Sequence, residues 1–158
     1  MEPKGMPRRR VRLKDIMRPA ASVTPDTPAR AALSILSENR IAGVPVVNAD
    51  GYLVGFVSDG HLLASALPKY VAEMEDLSFI KESGDAWMHY LAESADRPVS
   101  EVMSTEVSSV ESGTSEVAVA HKMVHDGASS VMITENGKLV GIVNRLDLYA
   151  AVMGIEVE

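Results

Sequence analysis

The alternation of apolar and polar positions repeats itself along this chain. The segment GYLVGFVSDGHLL at 51–63 returns as GKLVGIVNRLDLY at 137–149, with six of thirteen aligned positions identical. The sharpest chemical difference is His61 in the first copy against Asp147 in the second. Internal repetition of this kind predicts two copies of one supersecondary unit that stack to bury their apolar faces.

Each copy predicts the element order β-α-β-β-α. Thr27, which Pro28 follows, and Thr114 are predicted to cap the first helix of the two copies. Apolar residues then recur at helical spacing. They predict these inward faces: Ala32, Ile35 and Leu36 in the first copy, and Val117, Ala120 and Val124 in the second.

A β-hairpin is predicted after that helix in both copies. Its first strands are the apolar runs at 44–48 and 130–134, and Asp50-Gly51 and Asn136-Gly137 supply the turns. Each copy is too small to bury much surface alone, so we expect the two copies to pack against each other.

The segment between the copies is too long for a plain linker in a compact domain. Its apolar residues predict a helical insertion that Gly84 interrupts: Leu67, Tyr70, Val71, Met74 and Leu77 before it, and Trp87, Met88 and Leu91 after it. We expect Trp87 to be a packing anchor rather than a stacking platform for a ligand. The predicted organisation is a basic arm at 1–10, a first repeat at 11–66, the insertion at 67–96, a second repeat at 97–153 and a tail at 154–158.

The composition is typical of a folded protein and excludes several kinds of chemical site. Of 158 residues, 46% are hydrophobic and 23% are charged, which are ordinary values. The absence of cysteine excludes disulfides, thiolate nucleophiles and cysteine metal sites, and we expect a cytoplasmic protein. We expect no membrane contact and no secretory signal, because no apolar run approaches the ~20 residues of a spanning helix and none follows the N-terminal arginines.

The net charge of −7 is unevenly distributed. Six basic residues and one acidic residue fall within 1–14, whereas nine basic and 21 acidic residues follow. Such an arm could contact nucleic acid or an acidic surface. Because the body has no basic stripe or stacking aromatic residues to extend a nucleic-acid groove, we expect a solubilising tail, or one folded back on the body, and no nucleic acid partner.

Sequence patterns typical of catalysis are absent. The chain has no nucleophile elbow, no Gly-rich phosphate loop and no paired acid and base, so we expect no catalytic residues. His121 and His125 stand four apart on a predicted helix, but only Glu116 or Asp126 could join them, and we expect surface histidines and no metal site. His61 is either an ordinary half-buried histidine or a pH-sensitive group.

The lead-in sequences LKDIM at 13–17 and VSEVM at 99–103, the element order and the motif G-h-h-(S/T)-x-x-D (h, apolar) resemble the CBS domain, named after cystathionine β-synthase. The resemblance covers 11–66 and 97–153. It implies an α+β (α/β) fold, a tandem pair or Bateman module, in which two three-stranded sheets pack about a pseudo-twofold axis and leave a cleft on each side.

In this family the Asp of the motif accepts hydrogen bonds from the two ribose hydroxyls of an adenosine compound, which suits a carboxylate. Asp147 stands at that position, Asn144 replaces the Ser or Thr, and Arg145 is the nearest basic residue. The resemblance further implies that these residues line the same cleft: Ala21, Ser22, Val23 and Thr24 beside the base, and Ser129 and Ser130 toward the phosphate. The structural alternative for Asp147 is a cap on the last helix.

The other cleft is expected to be degenerate. Its residues are Ser58, His61, Ser108 and Ser109. Neutral imidazole offers one acceptor and one donor, so His61 cannot replace a two-oxygen grip. Because serines at 129 and 130 stand where many relatives have basic residues, AMP, adenosine or cationic S-adenosylmethionine fits the Asp147 cleft better than ATP.

The sequence therefore predicts a regulatory module that needs no cofactor and binds an adenosine ligand. A homodimer is expected, with an apolar surface formed by Leu146, Ala150 and Met153 on the last helix and by Leu77, Trp87 and Leu91 of the insertion. The alternatives are a ligand-free dimerisation module and a nucleic-acid-associated regulator that uses the basic arm.

Overall fold

The computed structural model describes residues 11–78 and 85–155. The elements in chain order are α1 Leu13–Ile16, α2 Ala29–Asn39, β1 Gly43–Val47, β2 Leu53–Ser58, α3 Asp59–Ser65, α4 Lys69–Ala72, α5 Asp85–Ser94, a 3-10 helix Val99–Glu101, β3 Ser109–Glu111, α6 Glu116–Asp126, β4 Ser130–Glu135, β5 Lys138–Asn144 and α7 Arg145–Met153. The predicted mixed helix and sheet class is confirmed. The basic arm at 1–10, the break at Gly84 and the tail beyond 155 lie outside the described residues.

The described chain forms two compact units. The first-copy unit comprises 20–78 and 85–107, and the second-copy unit comprises 11–19 and 108–155. Each unit thus holds the hairpin of one repeat together with the lead-in segment of the other repeat.

The sheets of the two units differ in strand number. In the second-copy unit β3 pairs with β4 in parallel and β4 pairs with β5 in antiparallel. In the first-copy unit only β1 and β2 form a sheet, and Val23 makes an isolated bridge to Val46. The expectation of two three-stranded sheets is therefore wrong for the first copy. Its third strand stops because the amide of Thr24 bonds to the Thr27 hydroxyl at 3.1 Å and residue 25 is proline, which has no N–H.

The helix caps differ from the predicted ones by one residue. Helix α2 has Pro28 at the N-cap with no side-chain cap bond, since the Thr27 hydroxyl accepts from Thr24 instead. On α6 the cap is Ser115, not Thr114, and its hydroxyl accepts from the amide of Ala118 at 3.3 Å. Neighbouring Ser and Thr residues compete for one cap, which sequence alone does not resolve.

Each unit has its own hydrophobic core. In the first-copy unit the core consists of Val23, Ala29, Ala32, Leu36, Val44, Val46, Val57, Leu62 and Val99. In the second-copy unit it consists of Leu13, Val119, Met123, Val131, Ile133, Val143 and Leu148.

The apolar face predicted for α6 is correct at Ala120, which packs against the core, and wrong at Val117 and Val124. Val119 and Met123 are buried, whereas Val117 and Val124 are 71% and 85% exposed. Both sides of this helix carry valines, so the apolar spacing fits two faces and only the packing decides between them.

The apolar surface predicted on α7 is wrong at Ala150. Ala150 is buried in the second-copy unit, whereas Leu146, Tyr149 and Met153 are exposed. These three residues recur at helical spacing and form one outward stripe.

Each lead-in segment lies across a glycine of the other repeat. A Cβ atom on Gly141 would collide with the Met17 side chain, and one on Gly55 would collide with that of Met103. The second glycine of the repeated GxLVG phrase is thus a place of close approach, which only glycine permits.

The same crossing is secured by paired backbone hydrogen bonds. The Arg18 amide donates to the Ile142 carbonyl at 2.8 Å, and the Ile142 amide donates back at 2.9 Å. Ser104 and Phe56 exchange two bonds of 2.9 Å in the first-copy unit. The backbone after each lead-in methionine is therefore fixed on a strand.

Within the described part of the insertion, 67–78 and 85–96, the first helix is shorter than predicted and a second helix follows. Helix α4 ends at Ala72, so Met74 and Leu77 lie beyond it. Trp87 on α5 is half-buried, and the neighbouring Tyr90 lies 5.8 Å below the Arg97 guanidinium.

Candidate functional site

Asp147 lies in the first turn of α7, where β5 turns into the helix. Asn144 ends β5 and pairs in register with Ser130 on β4, and the Arg145 amide donates to the Ser129 carbonyl at 2.9 Å. The second-copy unit therefore brings together five of the predicted site residues at the start of one helix.

Asp147 is engaged in a bidentate ion pair with Arg18. The guanidinium Nε lies 2.6 Å from Oδ2, and Nη2 lies 2.9 Å from Oδ1. The Asp147 side chain is only 11% exposed, whereas that of Arg18 is 52% exposed. Fork-to-fork pairs of this kind are geometrically specific, because two parallel bonds fix both planes.

The ion pair also shifts the pKa of Arg18. The hydrogen bond to Asp147, and then the negative charge of that carboxylate, raise the pKa of Arg18 above its ordinary value. A guanidinium is charged at every physiological pH even without such a contact. The ion pair therefore does not switch off by deprotonation of Arg18.

Arg18 reaches Asp147 because the lead-in segment is fixed on β5. Its backbone pairs with Ile142, and the Met17 side chain lies against Gly141. A cavity of about 240 Å³ adjoins the ion pair, somewhat below the ~300 Å³ of small ligand sites. Its lining residues are Asp15, Ile16, Met17, Arg18, Asp147, Ala150, Ala151 and Ile155.

His61, at the position equivalent to Asp147, is turned back onto its own helix. The Ser58 hydroxyl accepts from the His61 amide at 3.1 Å, and His61 Nδ1 accepts from the Ser58 amide at 3.1 Å. This reciprocal capping box requires an unprotonated Nδ1, so the network assigns the ring proton to Nε2. The first copy thus uses its altered residue to start α3.

The lead-in residues differ between the copies together with the motif residues. Arg18 in one crossing faces Asp147, whereas Ser104 in the equivalent crossing has its hydroxyl within 3.3 Å of the Glu106 carbonyl and amide. Sequence reasoning missed Arg18. One signal in the sequence was available. Arg18 and Asp147 in one crossing correspond to Ser104 and His61 in the other, so both positions differ together between the copies.

The remaining predicted residues are divided between the units. Residues 21–24 belong to the first-copy unit, with Ser58 and His61, whereas Ser108 and Ser109 belong to the second-copy unit. That residues 21–24 lie against Asp147 stays a prediction, and so does the second cleft.

The Ser108 hydroxyl donates to Asp126 on α6 at 2.6 Å. This bond, helped by His125 and by the Lys122 ammonium group, lowers the pKa of Asp126 to about 2. Ser108 therefore has a structural partner within its own unit.

His121 and His125 lie one turn apart on α6. The rings of His121 and His125 stack at 6.1 Å between centroids. Within 11–78 and 85–155 there is no cluster of three His, Cys, Asp or Glu side chains able to hold a metal ion. None of the helices in these ranges has the length and apolarity to cross a bilayer.

Comparison with known proteins identifies the repeated unit. The family model described as CBS domain matches residues 13–67 and 99–154. The uncharacterized protein MJ1426 of Methanocaldococcus jannaschii is 27% identical over 156 residues, covering 89% of this chain and 90% of that protein. The chloroplastic CBS domain-containing protein CBSX1 of Arabidopsis thaliana is 30% identical over 141 residues, covering 85% of this chain and 59% of that protein.

A solved structure has the same fold. The crystal structure of CBSX2 in complex with AMP superposes with a TM-score of 0.68 at 23% identity, covering 90% of this chain and 96% of that chain. The resemblance drawn from the repeated motif is confirmed.

Proposed function

The chain belongs to the CBS-domain family, and from that premise we propose that it is a non-catalytic regulatory module that binds an adenosine-containing ligand at Asp147. Proteins with CBS domains are generally regulatory modules, and a ligand regulates by binding two conformations with different affinity. The complex of CBSX2 with AMP supports this ligand class.

The observation that carries the proposal is the geometry of the Asp147 carboxylate. Its two oxygens each accept a hydrogen bond from one of two parallel N–H donors. A ribose presents two neighbouring hydroxyl donors that a carboxylate can accept in the same way. Asp147 is thus oriented for a two-donor partner.

The proposed ligands are AMP, adenosine and S-adenosylmethionine. Ser129 and Ser130 bring no positive charge to the phosphate end, which argues against a polyphosphate. Asn144 and Arg145 are proposed to contact the ribose or phosphate, and the backbone of 21–24 is proposed to contact the base. Segment 21–24 begins three residues after Arg18 in the chain.

Calorimetric titration of matched variants tests the proposal. Asp147→Asn should weaken adenosine-ligand binding by about 1–3 kcal/mol, the scale of hydrogen bonds to a charged group. His61→Ala, the equivalent position, should leave binding within about twofold, because its ring caps α3. Equal losses from both variants, or tight binding that survives both, would overturn the assignment.

A homodimer is the second part of the proposal, and the stripe on α7 supports it. Leu146, Tyr149 and Met153 are 72%, 65% and 57% exposed, whereas Leu148 and Ala150 of the same helix are buried. Contiguous exposed apolar residues are typical of interaction sites, and twofold pairing is the commonest way to cover them. A ligand-free dimerisation module is the alternative function that this surface favours.

Sedimentation equilibrium separates these readings when combined with the titrations. Leu146→Glu should convert a dimer to a monomer at tens of micromolar, whereas Ser37→Glu on the exposed side of α2 should not. A dimer that binds none of the three ligands would favour the dimerisation module, and a monomeric wild type would contradict the dimer.

A cytoplasmic location remains part of the proposal, although the relative CBSX1 is a chloroplastic protein.

A further inference from the structure

We propose that Arg18 is a built-in competitor for Asp147 and a specificity-determining residue of this site. The ribose of a ligand must displace the guanidinium, and the displaced guanidinium then favours ligands that carry an anionic group. This inference rests on the proposed function of Asp147.

Competition follows from how Asp147 is enclosed. A carboxylate has more lone pairs than Arg18 uses. With only 11% of its side chain exposed, however, Asp147 has little open surface besides the side that Arg18 faces. A ribose that approaches from solvent therefore has to take the two bonds that Nε and Nη2 now make.

Displacement requires only a side-chain movement. The Arg18 backbone is held by its two bonds to Ile142, and about half of the side chain is exposed. Because the Arg18 side chain remains 52% exposed within the ion pair, breaking the pair costs little net free energy, and the competition weakens ligand binding by only about two- to fivefold. Arg18 lowers the affinity for a ribose without closing the site.

The displaced guanidinium gives the site a preference in charge. It stays attached beside the ligand and remains positive. The 5′-phosphate of a nucleoside monophosphate is a few bonds from the ribose hydroxyls, within the reach of a long side chain. Asp15 lines the same cavity and opposes an anion, whereas Arg145 and the N-terminus of α7 favour one. The expected order of affinity is AMP, then adenosine, then S-adenosylmethionine.

Titration of the full chain with these three ligands tests the role of Arg18. In Arg18→Gln, adenosine should bind about two- to fivefold more tightly, because the competitor is gone. The ratio of AMP to adenosine affinity should fall by a similar factor, because the phosphate loses its partner. Arg12→Gln removes an exposed charge six residues before Arg18 and should change neither quantity.

A double variant isolates the competition. In the Asp147→Asn background, Arg18→Gln should bring no gain for adenosine, since no ion pair is left to break. Thermal melting of every variant confirms that it is folded.

The outcomes distinguish the two proposals. If the wild type binds adenosine and Arg18→Gln binds it about two- to fivefold more tightly, the competitor role is supported. If Asp147→Asn weakens binding while Arg18→Gln changes no affinity and no ratio beyond twofold, the competitor role is overturned and the Asp147 site stands. If neither the wild type nor Arg18→Gln binds any of the three ligands, both proposals fall.

Discussion

The close approach of Met17 to Gly141 predicts the cost of adding one methyl group. In Gly141→Ala the new Cβ would meet the Met17 side chain and would lie 3.0 Å from the Arg18 carbonyl oxygen. The methionine can change rotamer, but the carbonyl is held by the Ile142 amide at 2.9 Å. Local overpacking of this kind costs about 1–3 kcal/mol. The lower chain entropy of alanine in the unfolded state returns about 0.4–1 kcal/mol.

The expected net loss is about 1–2 kcal/mol, which lowers Tm by about 2–8 °C for a chain of this size. Gly113→Ala is the matched control, because no atom lies within 4 Å of the position that its new methyl group would take and its φ is not left-handed. It should leave Tm unchanged or slightly higher. Gly55→Ala, which meets Met103, should behave like Gly141→Ala. If Gly141→Ala melted with the control in thermal denaturation, the crossing would not be as tight as described.

Two further predictions concern stability. The folded pKa of Asp126 is about 2, below its usual 3.8, so its carboxylate stabilises the fold above pH 3.8 and loses this effect as the pH falls toward 2. The Tm difference between wild type and Asp126→Asn should therefore be constant above about pH 5 and shrink between about pH 4 and pH 2. A constant difference down to pH 2 would contradict this prediction. Ser58→Ala should lower the free energy of unfolding by about 1 kcal/mol in chemical denaturation, because it removes an N-cap. Asn144→Ala is the control at the equivalent position and should cost less, because Asn144 makes no side-chain cap bond. Equal losses would show that the capping box does not stabilise α3.

Local chemistry in the sequence predicted both hairpins, but the turn with two positive-φ residues forms only in the second copy, since Asp50 does not adopt a positive φ. Asn136 and Gly137 both adopt positive φ, at 52° and 83°, as the turn signal requires. The turn of the second hairpin was predictable because turn type depends on two adjacent residues. The capped end of α3 was also readable in principle, since Ser58 and His61 stand three apart.

The errors arose where packing, not local preference, makes the choice. Val117 and Val124 fit helical spacing as well as Val119 and Met123 do, and only the sheet selects the second pair. Arg18 was missed because its partner lies 129 positions away in the chain. No local rule relates residues so far apart, and only the parallel change at Ser104 and His61 hinted at it.

The placement of the first lead-in segment on the strand of the second repeat has a consequence for biosynthesis. Residues 20–107 are contiguous, so that unit is complete once its last residue has left the ribosome. The unit that holds Arg18 is discontinuous, and its first segment is made long before β5 and α7. Because domains fold as their residues emerge and distant contacts close slowly, we expect the first-copy unit to fold first and the segment that holds Arg18 to wait until β5 and α7 have been synthesised.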